Sequence, residues 1–441
     1  MSDYFKTRRE FLRTGIWGAS ASWTLPLFLQ RTFGEIDVAS RDLAVQAASG
    51  KDDEILVVLQ MAGGNDGLNT LVPFGDEEYH KARPTLAKKE KDLIRLTDGL
   101  GLNDNLKALG GLYDEGELAI VQGVGYPNPN RSHFVSTTIW ETADPAARSN
   151  TGWLGRYFDN QCEGSDPMIG VSLRKTQPES FGAQQNPGIS LSAPELYRWI
   201  HGGDNLSEAQ EAFAGLNAPA MGLEEGMAEL AAGDSISEVG APGTVVGEDN
   251  AAYLERVALN AQVSSEEVVK LARKHKSQAN YPGTQLGQSL GLVGRMIAGG
   301  MPTRVYYVNH GGFDTHRQQE GRHDQLLGQM DDALKAFFAD LKAQGNYQRV
   351  TVMTFSEFGR RVGENASAGT DHGQGSCLFV AGGGVKGGLY GQYPSLTDLS
   401  RGDLKFTTDF RKVYATLLDG WLKTDSQKIL GKKFAGLGFL G

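Results

Sequence analysis

Short, unbroken apolar runs recur along the chain, each followed by glycine or a polar cluster: Glu54 to Gln60, Leu118 to Val121, Val305 to Val308, Val350 to Phe355 and Leu378 to Ala381. A strand covered on both faces reads this way, with apolar and β-branched residues at consecutive positions rather than alternate ones. Between the runs, apolar residues fall at helical spacing. Trp153, Leu154, Tyr157 and Phe158 share one face, with Arg156 and Asp159 off it. Leu327, Met330, Leu334, Phe337, Phe338 and Leu341 predict a helix over 326–341, and Leu292, Val293 and Met296 one that stops at Gly299-Gly300. Ser132 suits the N-cap of a helix carrying Val135, Ile139 and Trp140, and Phe410 to Leu422 reads as a terminal helix. Ile169 to Leu173 and Gly188 to Leu191 read as short strands or sheet edges. Strands alternating with helices predict an α/β/α sandwich with a mostly parallel central sheet.

The pattern breaks over 192–282. Ser207 to Leu230 is rich in alanine and glutamate, 233–249 is a linker containing Gly, Ser and Pro, and Asn250 to His275 has the spacing of a long helix. This stretch is expected to be a helical insertion that covers the site or packs on one side. The pattern also fails before residue 48. Thr7-Arg8-Arg9-Glu10-Phe11-Leu12-Arg13 resembles the twin-arginine export motif, with Arg13 where lysine is commoner. A moderately apolar stretch from Ile16 to Leu29 follows, broken by Gly18, Ser20, Ser22, Thr24 and Pro26. It is shorter and more polar than the roughly 20 apolar residues of a spanning helix. Residues 1–47 are therefore expected to be a signal peptide cut after Val45-Gln46-Ala47, with 48–441 the mature domain. The expected partner is the twin-arginine machinery, and the expected location is periplasmic or secreted. That route carries folded proteins, which favours a cofactor acquired before export.

The 441 residues suffice for a large core. The net charge of −10 comes from dispersed acids, and no basic stripe is present, which argues against nucleic acid as a partner. No other segment reads as a membrane span. Cys162 and Cys377 are too few and too far apart for a disulfide scaffold or a zinc knuckle; one disulfide or two buried thiols both fit.

Acids and imidazoles stand beside the apolar runs. Asp66 follows the first, after Gly63-Gly64, in a loop with Asn65, Asn69 and Thr70 that also suits Asx-turn chemistry. Asp314-Thr315-His316 follows the third, where a carboxylate and an imidazole can reach one ion, or Asp314 can cap the next helix. Glu357 follows the fourth, with Arg360 and Arg361 available either to an anion or to nearby acids. Asp371-His372 precedes the fifth in a glycine-flanked turn, placed to ligate or, for the acid, to orient the imidazole. His310 and His323 read as supporting or surface residues. Ser132 is the nucleophile candidate as well as an N-cap, with Arg131 and His133 beside it as anion contacts. Ligands on parallel sheets bind beyond the carboxyl ends of the strands, so these residues are candidates for one pocket.

Five stretches carry a family resemblance: Gln60 to Thr70, Asn130-Arg131-Ser132-His133-Phe134, Gly312 to His316, Ser356 to Arg360 and Thr370-Asp371-His372-Gly373. They resemble the bacterial domain-of-unknown-function family numbered fifteen hundred and one, whose members look like exported proteins of the alkaline-phosphatase and sulfatase-like superfamily. The resemblance implies an alkaline-phosphatase-like α/β/α fold with one or two divalent ions, whether zinc, calcium, magnesium or manganese. It implies Asp314, His316 and His372 around one ion, and Asp66, Glu357 and the nucleophile Ser132 around another. Two departures bear on this: Ser356-Glu357-Phe358-Gly359 has no histidine where the superfamily has Asp-His, and Asp-x-His replaces a longer spacing. No Cys-x-Pro-x-Arg sulfatase signature is present. The expected function is hydrolysis of phosphate or sulfate esters, with Arg131 or Arg360 clamping the anion. The alternative is a non-catalytic exported binding protein with a degraded metal site.

Overall fold

The computed structural model describes residues 54–161, 167–185, 187–191 and 274–441. All of them belong to one compact unit, Ser49–Leu196 with Asn260–Gly441. The export segment, Cys162, the helix expected over 207–230 and all but the last two residues of the one expected over 250–275 lie outside the described residues.

A central sheet is built from β1 (Ile55–Ala62), β2 (Leu118–Gly125), β3 (Gly170–Ser172), β4 (Ile189–Ser190), β5 (Val305–Gly311), β6 (Val350–Phe355), β7 (Ser376–Gly382), β8 (Gly388–Tyr390) and β9 (Thr408–Asp409). Its spatial order is β8-β2-β7-β6-β1-β5-β3-β4, with β9 also paired to β2. The pairs β1·β5, β1·β6, β3·β5, β3·β4, β2·β8 and β2·β9 are parallel, and only β7 runs against its neighbours β2 and β6. The α/β fold with a mostly parallel sheet expected from the apolar runs is therefore the fold observed.

Alternation along β1 sorts its side chains between two cores. Ile55, Val57, Leu59 and Met61 meet α2 (Lys107–Asp114), α5 (Gln285–Ala298) and α6 (Gln319–Gln344), through residues such as Leu109, Val293 and Phe337. Leu56 and Val58 face the other layer, made by α3 (His133–Thr142), α4 (Trp153–Gln161) and α7 (Phe410–Gly420), where Trp153 stacks on Tyr414 and Trp140 meets that ring edge-on. Burying a residue of this size on either side contributes about 1.5–3 kcal/mol, so both faces must be apolar. This is why β1 reads as a continuous run.

Topology then gathers distant segments. In register, Ala62 lies beside Gly311 and Gln60 beside Phe355, so β1, β5 and β6 finish together. The antiparallel β7 starts at that same end, with Ser376 beside Val124 near the close of β2. The segments after β1, β2, β5 and β6 and the one before β7 therefore meet on one rim. A short helix, α1 (Gly67–Thr70), opens the first of them.

Three elements run furthest beyond their expected bounds, and one is β5, which ends at Gly311 instead of Val308. β2 runs on to Gly125 instead of stopping at Val121, and α6 begins at Gln319, well before the expected start near Leu326. The first turns of α6 bury Gln319 and His323 against polar partners, which apolar spacing does not register.

Candidate metal centre

Each rim segment presents its polar side chains for a local reason. After β5, Phe313 and Thr315 are buried while Asp314 and His316 reach solvent, so alternation turns Asp-x-His into two side chains on one side. Thr370 and Gly373 are likewise buried around the more open Asp371 and His372. Gly63 adopts a φ of +122°, and a Cβ there would lie 2.5 Å from the Asp314 nitrogen. Only glycine lets the β1 and β5 segments approach this closely. His133 opens α3 immediately after the extended Ser132.

Three imidazoles converge on the Asp314 carboxylate. Oδ1 lies 3.0 Å from His316 Nε2 and 3.0 Å from His372 Nε2, while Oδ2 lies 3.6 Å from His133 Nε2. The two nitrogens of His316 and His372 are themselves 2.9 Å apart. Donors bound tetrahedrally at 2.0–2.1 Å stand roughly 3.3 Å from one another, close to this spacing. The ligand atoms of His133, Asp314 and His372 fall within 4.8 Å of each other. The four side chains remain 22–47% exposed. A closed structural site would be sealed; this one keeps a face toward solvent.

The opposite ring nitrogens decide the chemistry. His372 Nδ1 is 2.9 Å from the Arg131 carbonyl, which can only accept, so the neutral ring carries its proton there and Nε2 is a lone pair. His133 Nδ1 is 2.7 Å from Glu357 Oε1, and His316 Nδ1 is 3.4 Å from Asp371 Oδ1. Every imidazole is thus anchored outward to an oxygen, the arrangement by which proteins fix metal-binding histidines. Three lone pairs and a carboxylate facing one another repel unless a cation stands among them. The donor set therefore fits a divalent ion, and nitrogen-rich coordination suits zinc or another transition metal better than calcium or magnesium.

The electrostatics agree. Burial pushes the Asp314 carboxyl up, but the hydrogen bond from Arg360, a second from His372 when that ring carries a proton at both nitrogens, and the charges of Arg360 and His316 override it and hold it down to about 2. The hydrogen bond to Glu357 raises His133 against the opposing effect of burial, helped by the charges of Glu357 and Asp314.

Among the residues expected at the site, Asp314, His316 and His372 come together, their facing atoms 2.9–3.0 Å apart. Glu357 and Asp371 do not join them: each instead stands behind an imidazole, Glu357 buried and also accepting from Gly63 N at 2.9 Å. Asp66 departs furthest. It is fully buried, bonded to Arg83 at 2.6 and 3.0 Å, and caps α1 through Leu68 N. Its lone pairs are spent, so it is no ligand. Burial pushes Asp66 up, yet the charge and hydrogen bonds of Arg83 outweigh that and hold it below the usual carboxylate range.

The expected anion clamps are corrected as well. The Arg131 guanidinium pairs with the buried Asp403, and Arg131 serves the site through its carbonyl. Arg360 is buried and gives its N–H groups to the carbonyls of Gly63, Gly64, Phe313 and Thr370 and to Asp314, so it positions a ligand and holds no anion. Arg361 keeps to nearby groups, Asp403 and the Arg401 carbonyl. Ser132 is exposed, and its hydroxyl does not cap α3. His310 and His323 are buried away from the surface, bonded to the Leu326 carbonyl and to Asn65. The candidate ligand that sequence reasoning passed over is His133, treated there as an anion contact. Its signal was its place beside the supposed nucleophile at a helix start.

Residues 53–432 match the model of a family described as "Protein of unknown function (DUF1501)". No curated protein matches the chain. Among solved structures the chain is similar to the PsFucS1 sulfatase from Pseudoalteromonas sp., at a TM-score of 0.36 and 11% identity over 92% of this chain and 75% of that one. It is similar to the lipoteichoic acid synthase LtaP from Listeria monocytogenes at 0.30 and 8%, over 90% and 80%. It is also similar to a protein in the alkaline phosphatase superfamily from Vibrio parahaemolyticus at 0.31 and 9%, over 81% and 71%.

Proposed function

The chain belongs to the DUF1501 family, and from that premise we propose that it is an exported hydrolase of phosphate or sulfate esters that depends on one divalent ion. The observation that carries the proposal is the convergence of His133, His316 and His372 on Asp314 with an open face. The ester class is supported by the sequence resemblance, and the single ion by the geometry. The residues implied for a second ion are engaged elsewhere: Asp66 with Arg83, and Glu357 with His133.

A bound ion supplies neutralisation of charge on the transferred group and a lowered pKa for a coordinated water or hydroxyl. The chain supplies the rest. Glu357, Asp371 and the Arg131 carbonyl fix the three imidazoles, and Arg360 fixes the carboxylate. Ser132 offers an uncommitted hydroxyl next to a ligand, at the start of α3, where first-turn N–H groups lack helical partners and favour an anionic oxygen.

Elemental analysis of the purified protein, with a screen of phosphate and sulfate esters, tests the proposal. We expect about one ion per chain, hydrolysis that a chelator abolishes, and loss of the ion when Asp314→Ala and His372→Ala are combined. Unchanged metal content in that double variant refutes it. The proposed export by the twin-arginine machinery to the periplasm or medium is tested by Arg8→Lys with Arg9→Lys, which should leave the protein in the cytoplasm. One observation favours a second reading, an exported binding protein without turnover: both expected anion clamps are consumed by other groups. Ester turnover lost on Ser132→Ala with folding intact excludes that reading.

A further inference from the structure

Gln319 is a polar side chain with no exposure to solvent, at the first position of α6. Both ends of its amide are used. Oε1 accepts from the hydroxyls of Thr315, at 3.1 Å, and Thr370, at 2.5 Å. Nε2 donates to Asp66 Oδ2 at 2.5 Å. Thr315 sits between Asp314 and His316, and Thr370 directly precedes Asp371-His372. One carbonyl oxygen therefore ties together the two segments that carry three of the four ligands. The backbone repeats the tie, since Gln319 N donates to the Ala368 carbonyl at 2.9 Å and Gln318 N to that of Ser367 at 3.0 Å. The base of the tie is rigid, because Asp66 is held in turn by two bonds from the buried Arg83.

We infer that Gln319 is a positioning residue of the metal centre, locking the Asp314–His316 segment to the Asp371–His372 segment through Thr315 and Thr370. Asp66 and Arg83 are its foundation, which gives the carboxylate after β1 a part in the site without contact to the ion. The inference rests on the metal reading proposed above. Its physical content is spacing. His316 and His372 Nε2 approach to 2.9 Å only while both segments stay in register, and coordination distances tolerate errors of about 0.2 Å. Support of this kind typically governs 10–100-fold in metal affinity.

Cobalt(II) titration of the full chain, followed by its visible absorption bands and by competition with a chelator, tests the inference. Thermal unfolding of the chelated protein is measured alongside. Thr315→Val and Thr370→Val preserve shape but remove the hydroxyls, while Thr315→Ser and Thr370→Ser keep them. We expect the valine variants to bind cobalt on the order of 10–100-fold more weakly with shifted bands, and the serine variants to match the parent. Gln319→Met should reproduce the double valine variant, and if it does not fold, the threonine pairs carry the test alone. Parent-like affinity and bands in the valine variants overturn the inference while leaving the metal reading intact. Equal losses in serine and valine variants also overturn it, since bulk and not the hydroxyl would then matter. A parent protein that takes up no cobalt defeats the metal reading itself and the inference with it.

Discussion

Asp66 and Asp314 begin as near equivalents. Each follows a parallel strand and a glycine pair, the two strands are neighbours, and both acids stand at the same end of the sheet. Their outcomes are opposite. Asp66 is sealed from solvent, gripped by both arms of Arg83 and bonded to Gln319. Asp314 is 47% exposed and faces three imidazole nitrogens. A carboxylate at a strand end is therefore not a ligand by position alone. It can serve as one where imidazoles face it, as at Asp314, which gives only Oδ1 to the buried Arg360, and it becomes structural where a buried guanidinium takes both of its oxygens, as Arg83 does at Asp66.

The largest contrast is expected from alanine at each acid. Asp66→Ala leaves Arg83 charged and unpaired in the interior, which should destabilise the protein by about 3–5 kcal/mol in urea denaturation. Asp314→Ala also takes a partner from the buried Arg360 but leaves that guanidinium four carbonyl acceptors, so it should lower the denaturation midpoint of the chelated protein by less than Asp66→Ala does, and it should remove the bound ion. Similar stability losses in the two variants would erase the distinction. A smaller effect belongs to Glu357→Gln, which keeps a hydrogen-bonding oxygen for His133 but removes the charge. Metal affinity should fall by roughly tenfold, with folding retained, as calorimetric titration can show.

The smallest contrast lies in pH. Asp66 is held below its ordinary value of 3.8, so its contribution is complete above that pH and is lost as acid approaches the depressed value. Asp66→Asn should flatten this acid limb of the stability profile. His133 is raised above 6.5, so in chelated protein its contribution is complete below pH 6.5 and fades as pH climbs through the raised value. His133→Asn should remove that second limb and leave the first, which urea midpoints across pH can resolve.

Much of the fold was legible because parallel strands covered on both sides must be apolar on both sides, as β1, β5 and β6 are. The start of α6 was not legible, since Gln319 and His323 are buried through hydrogen bonds and apolar spacing registers only hydrophobic burial. At the site, Asp314, His316 and His372 were readable from short motifs at strand ends. The fate of Asp66 was not, because Arg83, in a segment with no apolar signal, makes the decision. His133 was passed over for a related reason. Its role depends on Glu357 reaching it from a segment far away in the chain, a pairing that local spacing does not show.

The central claim is that His133, His316, His372 and Asp314 hold a single divalent ion. X-ray absorption fine structure of cobalt-loaded protein, combined with its metal-to-protein ratio, addresses it most directly. The account predicts one ion per chain surrounded by three imidazoles and at least one oxygen, with one imidazole lost in His133→Ala. Two ions per chain, or a spectrum without imidazole scattering that His133→Ala leaves unchanged, would contradict it.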